Sequence, residues 1–138
     1  RSHLEAEHRT NVAVAPILES LSKATEKEGA AYYSREVSRL TAGRQERGNK
    51  DGPEGPTLDD IMLSLLLKIN EEADVKSSHG TKELDSVLVS AIQRHMQKIE
   101  ARTNEISSEL KRMDEEDRKK ITSDSLREGW NSSVRRVN

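Results

Sequence analysis

A run of apolar residues at alternating spacings of three and four constrains the fold of this chain more than any other feature. Such sustained alternation is typical of the heptad seam of a coiled coil. No Gly or Pro occurs between Thr81 and Lys120, so the sequence predicts one helix of about 35–40 residues, about 55–60 Å long. The seam comprises Val89, Ile92, Met96, Ile99, Thr103, Ile106, Leu110 and Met113.

The seam must be buried against another helix, and the sequence leaves two kinds of partner open. It can pack in a coiled coil with another chain, or against the shorter helices of its own chain. Its length favours at least one antiparallel partner within the chain. The polar Thr103 and two methionines weaken the seam, so a very stable homodimer is not implied. We therefore predict an all-α fold, in which shorter helices pack antiparallel to a long coiled-coil-like helix that is followed by an extended tail.

The composition agrees with a thin helical bundle. Apolar residues make up 32% of the chain and charged residues 35%, and there is no Phe, so a thick globular core is not expected. The formal net charge of −2 provides no basic excess to displace counterions from nucleic acid, which argues against nucleic-acid binding. The chain has no Cys and therefore no disulfide. The longest apolar run, Ile61 to Ile69, is too short to span a membrane.

The chain divides into four segments by composition. Residues 1–42 are predicted to be helical, with a restart or kink at Pro16 and a break at Gly29, and their packing on the long helix is left open. Residues 43–57 are rich in Gly, Pro and charge and are predicted to be a flexible linker. Residues 58–120 are predicted to be a helical hairpin, and 121–138 the extended tail.

Two connections in the hairpin have local signatures. Thr57 is a predicted N-cap, with Asp60 at the capping-box position. Residues 74–80 are predicted to form a turn, after which Thr81 caps the long helix.

Catalytic chemistry has no signature in the sequence. The four histidines lack the spacing of a helical zinc site and are predicted to be solvated, including His95 beside the seam. Adjacent acids such as Glu71 and Glu72 point in different directions on a helix, unlike the facing carboxylates of acid–base sites. We therefore predict no catalytic residue, no cofactor, no metal and no enzymatic activity.

The tail offers the best candidates for partner binding. Trp130 lies among polar residues, as binding hot spots often do. Trp130 either anchors a partner or folds back onto the bundle. A third alternative is that the tail, as an extended segment, adds a strand to the edge of a partner's sheet. The sequence does not decide among these alternatives. The predicted partner-binding residues are Ile121, Leu126, Trp130 and Val134.

The stretch KKITSDSLREGWNSS, residues Lys119 to Ser133, resembles the N-terminal, kinase-binding domain of the cell-division-cycle thirty-seven family of co-chaperones, especially its fungal members. That family has a similar order of parts upstream: a helix, a polar linker, a short apolar helix and a long helix. Its tail carries a Gly-aromatic-x-x-Ser element, matched here by Gly129, Trp130 and Ser133, with Trp130 in place of the usual Phe. Ser125 interrupts the family's acidic pair.

The resemblance implies a cytoplasmic co-chaperone domain that recruits client protein kinases to the ninety-kilodalton heat-shock chaperone. Its partners would be protein kinases and that chaperone, and residues 121–134 would pack as a strand on a chaperone sheet. The family's acidic amino-terminal signature and middle domain are missing, as expected of a fragment or of a relative that lacks both. The alternative is a structural coiled-coil or oligomerisation module unrelated to kinases. The co-chaperone interpretation expects a monomer or weak dimer, whereas the alternative requires a symmetric dimer.

Overall fold

The computed structural model describes residues 2–48, 55–77 and 84–137, without the side chains of 75–77 and 131–137. Four α-helices occupy these ranges: α1 (Ser2–Glu28), α2 (Ala30–Arg47), α3 (Leu58–Ser77) and α4 (Leu84–Val137). The prediction of an all-α fold, with shorter helices packed against one long helix, is confirmed.

Helix α1 passes through Pro16 without a break, so the predicted restart there is wrong. Proline removes one backbone donor from a helix interior. Pro16 lies on the exposed side of α1, while Val14 and Leu18 are buried on the other side. Packing of this buried face on the rest of the bundle outweighs the local penalty of the proline.

The predicted break at Gly29 is confirmed. Gly29 has a φ of 84°, a conformation that glycine adopts without strain, and its N–H donates to the Thr25 carbonyl at 2.7 Å. The next N–H, that of Ala30, donates to Asp85 Oδ1 at 2.8 Å. A Cβ atom on Gly29 would lie 3.0 Å from Asp85 Oδ2. The turn therefore also holds the first turn of α4 against the start of α2.

Helix α2 continues through Arg47, so the linker predicted for residues 43–57 begins too early. Arg44 and Arg47 reach across to Asp60 of α3, at 3.1 and 2.8 Å from its Oδ1. These contacts hold the last turn of α2 in place, where basic side chains also suit the helix dipole. Residues 49–54 of that linker lie outside the described residues.

Helix α3 starts with the predicted capping pair. The Asp60 N–H donates to Thr57 Oγ1 at 3.2 Å, and the Thr57 N–H donates to Asp60 Oδ2 at 3.3 Å. The helix extends to Ser77, so residues 74–77 are helical and not part of the predicted turn. The rest of that turn and the predicted cap Thr81 lie outside the described residues, and α4 is described from Leu84.

The apolar core lies where all four helices meet. The Tyr33 hydroxyl donates a hydrogen bond to the Leu66 carbonyl and so joins α2 to α3 inside this core. Burial raises the pKa of Tyr33. The buried apolar residues of the core cluster are Val14, Leu18, Leu21, Tyr33, Leu40, Met62, Leu63, Leu66, Ile69, Ala73, Leu88, Ala91 and Ile92.

The predicted extended tail is wrong over the described residues, because α4 continues through Val137. No Pro interrupts the sequence of α4, and a single interior glycine such as Gly129 costs a helix only about 1 kcal/mol. The β-branched Thr122 is accommodated by a hydrogen bond from its Oγ1 to the Arg118 carbonyl at 3.0 Å. The tail is therefore a direct extension of the coiled-coil helix.

Candidate functional site

The seam of α4 is covered by the chain's own helices. Ile92 and Ile106 are fully buried, at 0% and 1% exposure, and the other six seam residues are half-buried. The most extensive helix pair is that of α1 with α4. The antiparallel partner expected within the chain is therefore α1 together with α3. The first 40 residues, whose packing the sequence left open, therefore pack on the long helix through α1.

Polar contacts fix the direction in which α1 runs along α4. Near the start of α1, Glu7 receives two hydrogen bonds from Arg102 at 2.6 and 3.0 Å, and His8 Nε2 lies 3.2 Å from Ser107 Oγ. Near its end, Glu26 shares a groove with Asp85 of α4. The two helices are thus antiparallel. The Arg102 hydrogen bond lowers the pKa of the Glu7 carboxyl.

The pair of α3 and α4 is joined by a part-buried polar contact that the sequence analysis missed. His95 is only 6% exposed, so the prediction of a solvated side chain is wrong for this histidine. Its Nε2 lies 3.3 and 3.2 Å from the two carboxylate oxygens of Glu72, and this hydrogen bond lowers the pKa of the Glu72 carboxyl. A buried polar group needs such a partner. The position of His95 beside the seam was the one feature of the sequence that could have indicated its burial.

Beyond Met113, α4 projects past the start of α1. We call residues 114–137 of this helix the arm; at 1.5 Å per residue it extends about 36 Å. Every arm residue from 114 to 130 is exposed. Since no other described helix covers these residues, their side chains are available to a partner.

Local contacts hold the root of the arm in helical form. Arg112 pairs with Glu109 one turn before it and with Glu116 one turn after it, the latter at 2.5 Å. The hydrogen bond from Arg112 lowers the pKa of the Glu109 carboxyl. Pairs at these spacings stabilise a helix slightly, without tertiary contacts. The acidic run at 114–117 is followed by three basic residues, Arg118, Lys119 and Lys120.

Three of the four predicted partner-binding residues are exposed on the arm. Ile121 is 64% exposed, Leu126 72% and Trp130 70%. Leu126 and Trp130 are four residues apart and therefore share one face of the helix, whereas Ile121 lies about 140° around the axis from Leu126. The side chain of Val134 lies outside the described ones. The structure thus brings Leu126 and Trp130 together, which we call the arm patch, and separates Ile121 from them.

The described residues show no cluster of three or more metal-binding side chains. Within the same ranges, no helix combines the length and the apolar character needed to cross a membrane.

Comparisons with protein-family models, with curated proteins and with solved structures find no match to this chain.

Proposed function

We propose that this chain is a co-chaperone interaction domain that recruits client protein kinases to the ninety-kilodalton heat-shock chaperone in the cytoplasm. The resemblance of residues 119–133 to the cell-division-cycle thirty-seven family supplies the identity of the partners. The observation that carries the proposal is the arm patch. A Trp and a Leu on one helix face are exposed on the part of α4 that no other described helix covers.

The arm patch has the chemistry of a binding hot spot. Trp is among the residues most enriched in hot spots, where one large side chain fills a pocket on the partner. Arg127 and Glu128 both lie between Leu126 and Trp130 in sequence, so charges of both signs border the patch and would set its register on a partner. Because the arm is helical, we propose that it binds as a helix in a groove, and not as the added strand that the family resemblance implies.

The alternative of a structural coiled-coil module receives less support. A symmetric dimer through the seam would have to displace α1, which already buries Ile92 and Ile106 with α3. Dimerisation would then be confined to the arm, where the heptad positions after Met113 are occupied by Asp117, Lys120 and Asp124. Charged residues at these positions do not form an apolar seam.

A capture experiment tests the proposal. The chain is immobilised and exposed to a panel of purified protein kinases and to the purified ninety-kilodalton chaperone, and light scattering gives its mass in the same buffer. We expect capture by a mainly monomeric chain. Trp130→Ala should weaken capture by about tenfold, since truncating a hot-spot residue costs roughly 1–2 kcal/mol or more.

The matched control is Leu67→Ala. Leu67 is an exposed leucine on α3, at 46% exposure, so its removal tests for nonspecific apolar adhesion without changing the arm. This variant should capture as well as the unchanged chain. A stable dimer that captures neither kinases nor the chaperone would reject the proposal in favour of the structural coiled coil.

A further inference from the structure

A cavity of about 290 Å³ opens between α1, α2 and α3. None of its described lining residues belongs to α4. It is therefore separate from the seam and from the arm, and neither the resemblance nor the proposed function assigns it a role.

The floor of the cavity is apolar and already formed. Leu21 of α1, Leu40 of α2, and Met62 and Leu66 of α3 meet there, each at 5% exposure or less. These side chains are held by the core, so a ligand would enter without rearranging them, which lowers the entropic cost of binding. The volume is at the lower end of the range for ligand pockets. It suits one large apolar side chain better than an extended ligand.

The rim of the cavity is polar and carries an excess negative charge. Arg39 Nη2 lies 2.8 Å from Glu36 Oε2, so these two charges offset each other. The third charged residue of the rim, Asp59, is exposed in the first turn of α3. Among the described residues no basic group lies within ion-pair distance of its carboxylate. Arg39 interacts with it electrostatically only at longer range, so the rim keeps one net negative charge. A positive charge brought to the mouth of the cavity would therefore meet an available carboxylate.

We propose that this cavity is a docking pocket for a segment of a partner protein, which inserts one large apolar side chain and places a Lys or Arg beside Asp59. The apolar floor supplies the affinity, because burying a large apolar side chain is favourable. The rim supplies the selectivity for a basic neighbour. The proposal rests on the geometry and the charge of the pocket and does not depend on the co-chaperone function.

Three blocked tetrapeptides test the proposal as probes: Gly-Trp-Lys-Gly, Gly-Trp-Glu-Gly and Gly-Ala-Lys-Gly. Each is titrated into the ¹⁵N-labelled full chain, and amide chemical shifts report the site and the affinity. We expect the Trp-Lys peptide to shift residues around the cavity and to bind about fivefold more tightly than the Trp-Glu peptide, the upper end for an exposed ion pair. The Ala-Lys peptide should produce no saturable shifts there.

Two variants separate the charge from the cavity. Asp59→Asn should remove the preference for Trp-Lys over Trp-Glu while leaving binding of both peptides intact. Ser20→Phe places a ring at the rim and should block both peptides. Ser38→Phe is its control, because Ser38 is exposed on α2 away from the lining residues. Circular dichroism of each variant confirms that it remains folded.

Three results would overturn the proposal. Shifts confined to the arm, or scattered over the surface, would show that the cavity is not the site. Equal affinity for the Trp-Lys and Trp-Glu peptides would show that the cavity does not select a segment with a basic residue. Concentration-dependent shifts at the cavity without peptide, abolished by Trp130→Ala, would identify the occupant as the arm of a second copy. The capture experiment with kinases can succeed or fail independently of all three.

Discussion

Asp60 carries more of the described polar contacts between α2 and α3 than any other single residue. Its carboxylate accepts hydrogen bonds from the Arg47 side chain at 2.8 Å and from the Thr57 N–H, and it pairs with Arg44. The Arg47 hydrogen bond is the main reason that the pKa of Asp60 falls to about 2, helped by the bonds from Thr57. A residue that caps one helix thus also anchors the end of the preceding helix.

This lowered pKa predicts a loss of stability in acid. A carboxyl group whose pKa is lower in the folded chain stabilises the fold above its ordinary pKa, and the stabilisation is lost as the pH falls through the folded value. We expect the thermal midpoint of unfolding of the unchanged chain to decrease as the pH is lowered from about 4 to about 2. Asp60→Asn should lower the midpoint by several degrees at pH 7 and flatten this acid dependence, as measured by circular dichroism melts.

Asp59→Asn is the matched control for this prediction. It removes the same charge one position earlier, from a side chain that makes none of the contacts of Asp60 with Arg44 or Arg47. Other carboxyls with lowered pKa values, such as Glu7 and Glu72, titrate in every variant, so only the difference between variants reports on Asp60. If both variants have the same acid dependence, the role assigned to Asp60 is wrong.

Contacts between residues that are close in the sequence could be predicted from the sequence. The reciprocal pair of Thr57 and Asp60 has a fixed spacing of three residues, and the strain-free turn at Gly29 requires only one glycine. The bond from Ala30 to Asp85 joins residues 55 positions apart, and no local pattern signals it. The contact of Glu72 with His95 was missed for the same reason.

At the scale of helices, the seam of α4 was predictable and its partner was not. Helix α1 contains the same alternation, since the buried residues Val14, Leu18, Leu21 and Thr25 are spaced by four, three and four. Pro16 and the polar Thr25 obscured this pattern in the sequence. Periodicity indicates which face of a helix is buried, but it does not identify the helix that buries it.

The helical form of the arm was also not predicted from the sequence. Serine, threonine and glycine in residues 121–133 have weak helix propensities, and the prediction of an extended tail followed from them. Propensity differences of less than about 1 kcal/mol per residue are easily outweighed when a helix is already nucleated. Here α4 is nucleated by the bundle, and the arm extends it one residue at a time.

The helical form of the arm predicts the effect of a proline. Ser123→Pro removes a backbone donor and clashes with the preceding turn, at a cost of about 3 kcal/mol in a helix interior. We expect ellipticity at 222 nm to decrease as the arm beyond this position loses helix, while the thermal midpoint of the bundle stays the same. Capture of kinases or of the chaperone should decrease about tenfold, because Leu126 and Trp130 no longer share one face.

Ser123→Ala controls for loss of the hydroxyl and should behave like the unchanged chain in both measurements. If Ser123→Pro lowers ellipticity but leaves capture unchanged, the arm does not bind as a helix. Binding as an extended strand, as the family resemblance implies, would then be the better account of the contact.

At the scale of the molecule, the described residues form a four-helix bundle and an arm that protrudes from it. At 1.5 Å per residue, the 54 residues of α4 extend about 80 Å. A compact domain of 138 residues would have a radius of gyration of only about 14 Å. The buried apolar residues of this helix lie between Leu88 and Ile106, so the bundle occupies one end of a long, thin molecule.

This division predicts that the arm contributes to binding and little to stability. Removing residues 114–138 deletes the exposed side chains of 114–130 and none of the described core residues, so the free energy of unfolding should change by no more than about 0.5 kcal/mol. Ile106→Ala, by contrast, truncates a side chain buried at 1% exposure where α1 covers α4, and should cost roughly 2–5 kcal/mol. Urea unfolding followed by circular dichroism measures both changes. If the truncation costs as much as Ile106→Ala, the arm is part of the folding unit, and its exposed Trp130 contributes to the fold itself and not only to partner binding.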